Sequence, residues 1–125
     1  MTVLAHLRQT GLPDTALQAL TQCLGVHTDI EQVWLYGSRA MGRYRPGSDI
    51  DLCVQAPNLT LQGLWQLETE LDDLLLPWQM DLCVWHQLNH PELMAHIRRV
   101  GIALLPDRAC ALPSPPTPQH ACPPA

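Results

Sequence analysis

Three aspartates and a glycine–serine pair are the residues of this 125-residue chain whose types and spacing can do chemistry. Asp49 and Asp51 stand two apart in the run Asp49-Ile-Asp-Leu-Cys-Val54, which alternates strictly. In a strand, that alternation sends Asp49, Asp51 and Cys53 to one face and Ile50, Leu52 and Val54 to the other. Residues two apart then project side by side, about 6.5–7 Å between Cα atoms. Asp81 lies in a second alternating run, Gln79-Met-Asp-Leu-Cys-Val-Trp85. If the two strands are neighbours, a spacing of about 4.8 Å gathers three carboxylates into one patch. Such a patch repels itself, so at least one pKa must rise unless a hard divalent cation resolves the conflict. Two Mg²⁺ ions held between shared carboxylates suit the chemistry of phosphoryl groups.

Upstream, Gly37-Ser38 follows an apolar run and opens a predicted helical turn. Glycine lets the backbone approach a ligand, and free N–H groups at such a turn attract phosphate. The serine hydroxyl offers one more hydrogen bond to a phosphate oxygen. An Asp-x-Asp pair alone often does no more than decorate an exposed strand face. Ten residues downstream of Gly-Ser, at the start of an alternating strand, it is far more specific. Arg39, Arg43 and Arg45 cluster next to this segment. Guanidinium groups suit phosphate oxygens, although such a cluster on a loop is often only solvated. The chain has no lysine, which excludes a P-loop.

The elements that must position these groups follow from periodicity. Pro13-Asp14 and the stripe Leu17, Leu20, Leu24 predict a helix closing near Gly25. Gln32-Val-Trp-Leu-Tyr36 reads as a strand entering a turn at Gly37, Ser38–Gly42 as one or two helical turns, and Tyr44–Ser48 as loop. Thr60 is placed to cap a helix with Leu61, Leu64, Leu67, Leu71 and Leu74 on one side, stopped by Pro77. The pattern Asn89-x-x-Glu92 with Pro91 between them resembles a capping box opening a helix through Val100. Ile102–Leu105 adds a short strand. The order predicts an α/β (α+β) domain, a single mixed sheet with helices packed on one face.

Length allows one domain, expected over residues 1–105. From Pro106 to Ala125, seven of twenty residues are proline, and the stretch is read as a disordered Pro-rich tail. The net charge of −5 argues against direct nucleic-acid binding on a basic surface. Five cysteines form no CxxC, and neither they nor the six histidines show zinc-site spacing. No run of 18 apolar residues predicts a membrane span, and no signal-peptide pattern is present. The chain reads as cytoplasmic and reduced. Trp34 is assigned to the core, whereas Trp65, Trp78 and Trp85 are left between core and interface. His86, His90 and His96 are assigned surface or capping roles.

The segment Tyr36-Gly-Ser-Arg-Ala-Met-Gly-Arg-Tyr-Arg-Pro-Gly-Ser-Asp-Ile-Asp-Leu52 closely resembles the G-S-x10-D-x-D signature of the DNA polymerase β-like nucleotidyltransferases. Small size, Gly42 and Leu76-Pro-Trp-Gln-Met-Asp-Leu82 look like its minimal nucleotidyltransferase (MNT) branch. The resemblance spans roughly Gln32 to Val100. It implies the polymerase β-like fold, with Asp49, Asp51 and Asp81 as catalytic residues holding two Mg²⁺ ions. Gly37 and Ser38 match the turn gripping the β- and γ-phosphates of a triphosphate, expected to be ATP. Arg39 is placed with them at the nucleotide; Arg43 and Arg45 remain open between triphosphate, partner and solvent. Attack on the α-phosphorus would release pyrophosphate.

Members of this branch pair with a small helical HEPN-domain protein in the MntA/HepT toxin–antitoxin arrangement. The resemblance therefore implies an antitoxin that transfers AMP to a tyrosine of a HEPN ribonuclease toxin. Two alternatives stay open at this point: a non-catalytic antitoxin that occludes its toxin, and nucleotidyl transfer to a small molecule.

Overall fold

A computed structural model describes residues 8–108 and residue 112. Of the expected Pro-rich tail, the residues from 113 onward lie outside the described residues, as do 1–7 and 109–111.

The elements that can be described follow the predicted order. After a 3₁₀ turn at Arg8–Thr10 come α1 (Asp14–Gly25), β1 (Gln32–Tyr36), a single-turn α2 (Gly37–Ala40) and β2 (Ile50–Gln55). Then follow α3 (Leu61–Asp72), β3 (Met80–Val84), a 3₁₀ turn at Trp85–Gln87, α4 (Pro91–Val100) and β4 (Ile102–Ala103). The sheet is mixed, ordered β3-β2-β1-β4: β1 runs antiparallel to β2 and β4, and β2 runs parallel to β3. The α3 crossover is what a parallel β2–β3 pair requires, since a tight hairpin cannot connect parallel strands.

One face of the sheet carries Val33, Leu35, Ile50, Leu52 and Val54, all fully buried. Against it pack Leu17, Leu20 and Leu24 of α1 and Leu67 and Leu71 of α3, forming the main core. Thr60 caps α3 as expected, its hydroxyl accepting from Gly63 N–H at 3.0 Å. Leu61, the first residue of α3, leaves the predicted inner stripe and stands 58% exposed.

The opposite face is not left bare. Here α4 lays Met94 and Ile97 over Trp34, Tyr36, Cys53 and Trp85, a second and smaller core. Of the helices expected on one face, α1 and α3 lie there, whereas α4 covers part of the other. The apolar residues of the carboxylate face, Trp34, Tyr36 and Cys53, account for this placement: they need cover. Trp85 and Trp34 are both core residues, while Trp65 is 60% exposed.

Two local expectations shift. The start of α4 is capped by His90, whose Nδ1 accepts from Leu93 N–H at 3.0 Å, rather than by Asn89. With Pro91 as the first helical residue, the capping position falls on the residue before it, so the expected box is one residue out of register. The last strand stops at Ala103, and Leu104 and Leu105 turn into the core, where Gln32 bonds both the N–H and the carbonyl of Leu105 at 2.8 Å.

Candidate active site

The register of the strands sets the site. Tyr36 pairs with Asp51 across β1–β2, and Asp51 pairs with Asp81 across β2–β3, so the three form one row on one face of the sheet. The next row is Trp34, Cys53 and Cys83, which α4 and Trp85 cover. The Asp51–Asp81 row lies at the open end of that face: Asp81 and Asp49 are exposed and Asp51 half-buried.

Burial raises the Asp51 carboxyl to about 6, and the negative charges of Asp81 and then Asp49 push in the same direction. The predicted electrostatic conflict is expressed at Asp51, where burial and the neighbouring charges act together. Among the described residues, no three His, Cys, Asp or Glu side chains already form a metal-holding group. The donor set nevertheless fits a hard cation. It offers carboxylate oxygens alone, and the central one carries a charge that its neighbours and its burial penalise.

Gly37 abuts the same carboxylate. Its φ is +79°, and a Cβ there would collide with Asp51 Oδ2. Only glycine lets the turn leave β1 this close to the aspartate. From this point the chain enters α2, which places Ser38, half-buried, one residue beyond. Gly37 N–H is held by a residue from the other side of the sequence: His96 of α4 accepts it through Nε2 at 3.3 Å. The His96 ring meets Tyr36 edge-on, 6.1 Å between centroids. No local pattern marked His96, because its partner is 59 positions away.

Arg39 is placed differently from its sequence assignment at the nucleotide. It is 1% exposed, and its guanidinium donates to the carbonyls of Thr10 at 2.8 Å, Ser48 at 3.1 Å and Pro46 at 3.3 Å. The rings of Tyr44 and Trp78 lie over it at 5.1 and 5.4 Å. Trp78 also donates to the Pro46 carbonyl at 3.1 Å. Arg39 thus ties down the loop that joins α2 to Asp49, and it positions the site without facing it. Arg43 and Arg45 are exposed on that loop. Ser48 closes it, its hydroxyl accepting from Arg45 N–H at 2.8 Å.

The family model described as "Polymerase beta, Nucleotidyltransferase" matches residues 18–108. Comparison with curated protein sequences gives no match. Among solved structures, one described as a toxin–antitoxin with AMP-PNP superposes with a TM-score of 0.59 at 23% identity, covering 70% of this chain and 71% of the other. The MntA–HepT toxin–antitoxin gives 0.55 at 20% identity, covering 74% and 71%. A tri-AMPylated Shewanella oneidensis HEPN toxin in complex with an MNT antitoxin gives 0.55 at 21%, covering 72% and 69%. At these identities the likeness is one of fold. Among the described residues, no helix is long and apolar enough to cross a membrane.

Proposed function

Because this chain belongs to the polymerase β nucleotidyltransferase family, we propose that it transfers AMP from ATP to a tyrosine hydroxyl of a HEPN ribonuclease toxin and so acts as its antitoxin. The observation that carries the reading is the in-register pair Asp51–Asp81 with Gly37 packed against Asp51. The fold neighbours add support, one holding AMP-PNP and another an AMPylated HEPN toxin bound to an MNT antitoxin.

Asp49, Asp51 and Asp81 are the residues that would hold Mg²⁺. When bound, such ions neutralise phosphate charge and make the acceptor hydroxyl a better nucleophile. The remaining roles belong to the chain itself. The Gly37 turn brings backbone N–H groups and the Ser38 hydroxyl to the β- and γ-phosphates. His96 orients the Gly37 peptide, and Arg39 keeps the loop before Asp49 in place. The acceptor hydroxyl approaches from the Asp81 side, gives up its proton to a carboxylate of the site and thence to water, and its oxygen forms the new bond to the α-phosphorus. The bond to the bridging oxygen breaks, and pyrophosphate leaves past Gly37 and Ser38.

The test is to incubate the chain with ATP, Mg²⁺ and a HEPN toxin and to look for AMP on a toxin tyrosine by mass spectrometry. Modification is expected, and it should vanish in the Asp49→Asn, Asp51→Asn double variant. Persistence of AMP transfer in that variant would sink the site assignment.

A further inference from the structure

Leu61, Trp65, Glu68 and Asp72 succeed one another along α3 at spacings of four, three and four residues, so they share one stripe of the helix. All four are exposed. The stripe borders a cleft of about 300 Å³ lined by Glu68, Leu71, Asp72, Met80 and Leu82. The floor of this cleft is aliphatic and its rim carries two carboxylates. Its other wall is β3, the outermost strand in the order β3-β2-β1-β4. Among the described residues, no strand pairs with the outer edge of β3.

Such an edge offers backbone N–H and C=O groups to an extended chain. Met80 and Leu82 flank Asp81 in β3 and point to the opposite face from it. A strand added at this edge would alternate in the same way. A residue beside Asp81 on the catalytic face would have its immediate neighbours over the cleft. The cleft suits a long basic side chain, with an aliphatic stem against Leu71, Met80 and Leu82 and a cationic head against Glu68 and Asp72. An acidic side chain would be repelled from the same place.

We infer that an extended segment of the acceptor protein docks on the free edge of β3, its hydroxyl-bearing residue beside Asp81 and an adjacent arginine or lysine in the cleft. The inference rests on the nucleotidyl-transfer reading for the role of the hydroxyl. Trp65 and Leu61 extend the surface as an apolar anchor beyond the cleft, since an exposed tryptophan is a common centre of binding energy. The segment is thereby selected by charge next to the acceptor residue.

The test uses two fluorescent peptides, identical except for arginine or glutamate on both sides of one central tyrosine, with the full chain, ATP and Mg²⁺. Binding is read by anisotropy and AMP transfer by mass spectrometry. The arginine peptide should bind about tenfold more tightly, the gap expected of two charge contacts at the rim of the cleft. Reversing the rim with Glu68→Arg and Asp72→Arg should invert that preference while ATP affinity stays unchanged. N-methylation of alternate backbone amides in the arginine peptide should weaken binding about tenfold, because it removes ladder hydrogen bonds.

No binding by either peptide, or a preference that survives rim reversal, overturns the docking site. A chain that sediments as a dimer which the rim variant breaks also overturns it, by assigning the surface to a second copy. Charge-selective binding without AMP transfer upholds the docking site and removes the tyrosine-transfer reading. Transfer without charge selectivity does the opposite.

Discussion

The two faces of β2 are built from six consecutive residues and differ most at Asp51, since Cys53 and Gln55 on the same face are buried as well. Ile50, Leu52 and Val54 are fully buried under α1 and α3, whereas Asp51 looks along an open row toward Asp81. The aliphatic face gains its stability from exclusion of water, at about 25 cal/mol per Å² of apolar surface. The acidic face costs stability, since Asp51 is partly buried among like charges. One strand therefore holds both the core that fixes its position and the strain that prepares it for a cation. The function proposed for this site depends on the first face being rigid enough to support the second.

The comparison breaks most visibly where Asp51 and Asp49, the residue just before the strand, both lose their charge. Asp49→Asn with Asp51→Asn should lower AMP transfer by about a thousandfold or more, on the several-kcal/mol scale of metal-assisted stabilisation. The metal-free protein should melt no lower than the parent, because the substitution removes repulsion. A melting temperature clearly below that of the parent would mean that the carboxylates are structural. On the opposite face, Leu52→Ala should destabilise by about 2–5 kcal/mol, the usual result of emptying a packed leucine site. Denaturant titration measures it, and a loss under about 1 kcal/mol would show that this face is not the support.

A smaller effect is expected at the boundary between β1 and the carboxylate. Gly37→Ala places a Cβ against Asp51 Oδ2 and at a positive φ. It should cost about 1–3 kcal/mol of stability, and ATP affinity should fall with it. Equal ATP affinity in parent and variant would remove Gly37 from the nucleotide site.

The smallest effect is on pH. Asp51 titrates near 6 in the folded chain, above its ordinary value of 3.8. The folded state then binds more protons than the unfolded state between those values, so this group's contribution to stability falls as pH rises from about 4 to 6. The effect is at most about 2 kcal/mol once solvent screening is allowed for. Melting curves of the metal-free parent and Asp51→Asn should differ in slope over that window, with the parent losing more on going from pH 4 to pH 6.5. Mg²⁺ competes with the proton, so the rise in melting temperature it produces should be larger at pH 7.5 than at pH 5. An equal rise at both values would detach Asp51 from the metal.

Much of the site was legible from residue order alone. The period-two alternation placed Asp51 and Asp81 on one face of each strand, since neighbouring side chains of a strand must alternate, whereas Asp49, expected in the same strand, lies just before β2. Gly37 stood out because glycine where a strand enters a turn lets the backbone approach a ligand, while its packing against the Asp51 carboxylate emerged only from the fold. Thr60 was readable as a cap for the equally local reason that its hydroxyl reaches only three residues ahead. Arg39 was not readable in this way. Its neighbourhood to Gly37 and Ser38 suggested phosphate, yet Thr10, Ser48 and Pro46 converge on it from separate parts of the chain. His96 reaches Gly37 only because α4 crosses the carboxylate face to cover Trp34 and Cys53.

The sequence by itself thus determined the strands, the facing of their carboxylates and the family to which the chain belongs, because periodicity and motif spacing are local properties. Tertiary structure decided that β2 and β3 are adjacent and in register, which turns two separate aspartates into a pair. It also decided that Arg39 braces a loop and His96 holds a turn. Those outcomes depend on which surfaces bury one another, and burial is settled only when the whole chain packs.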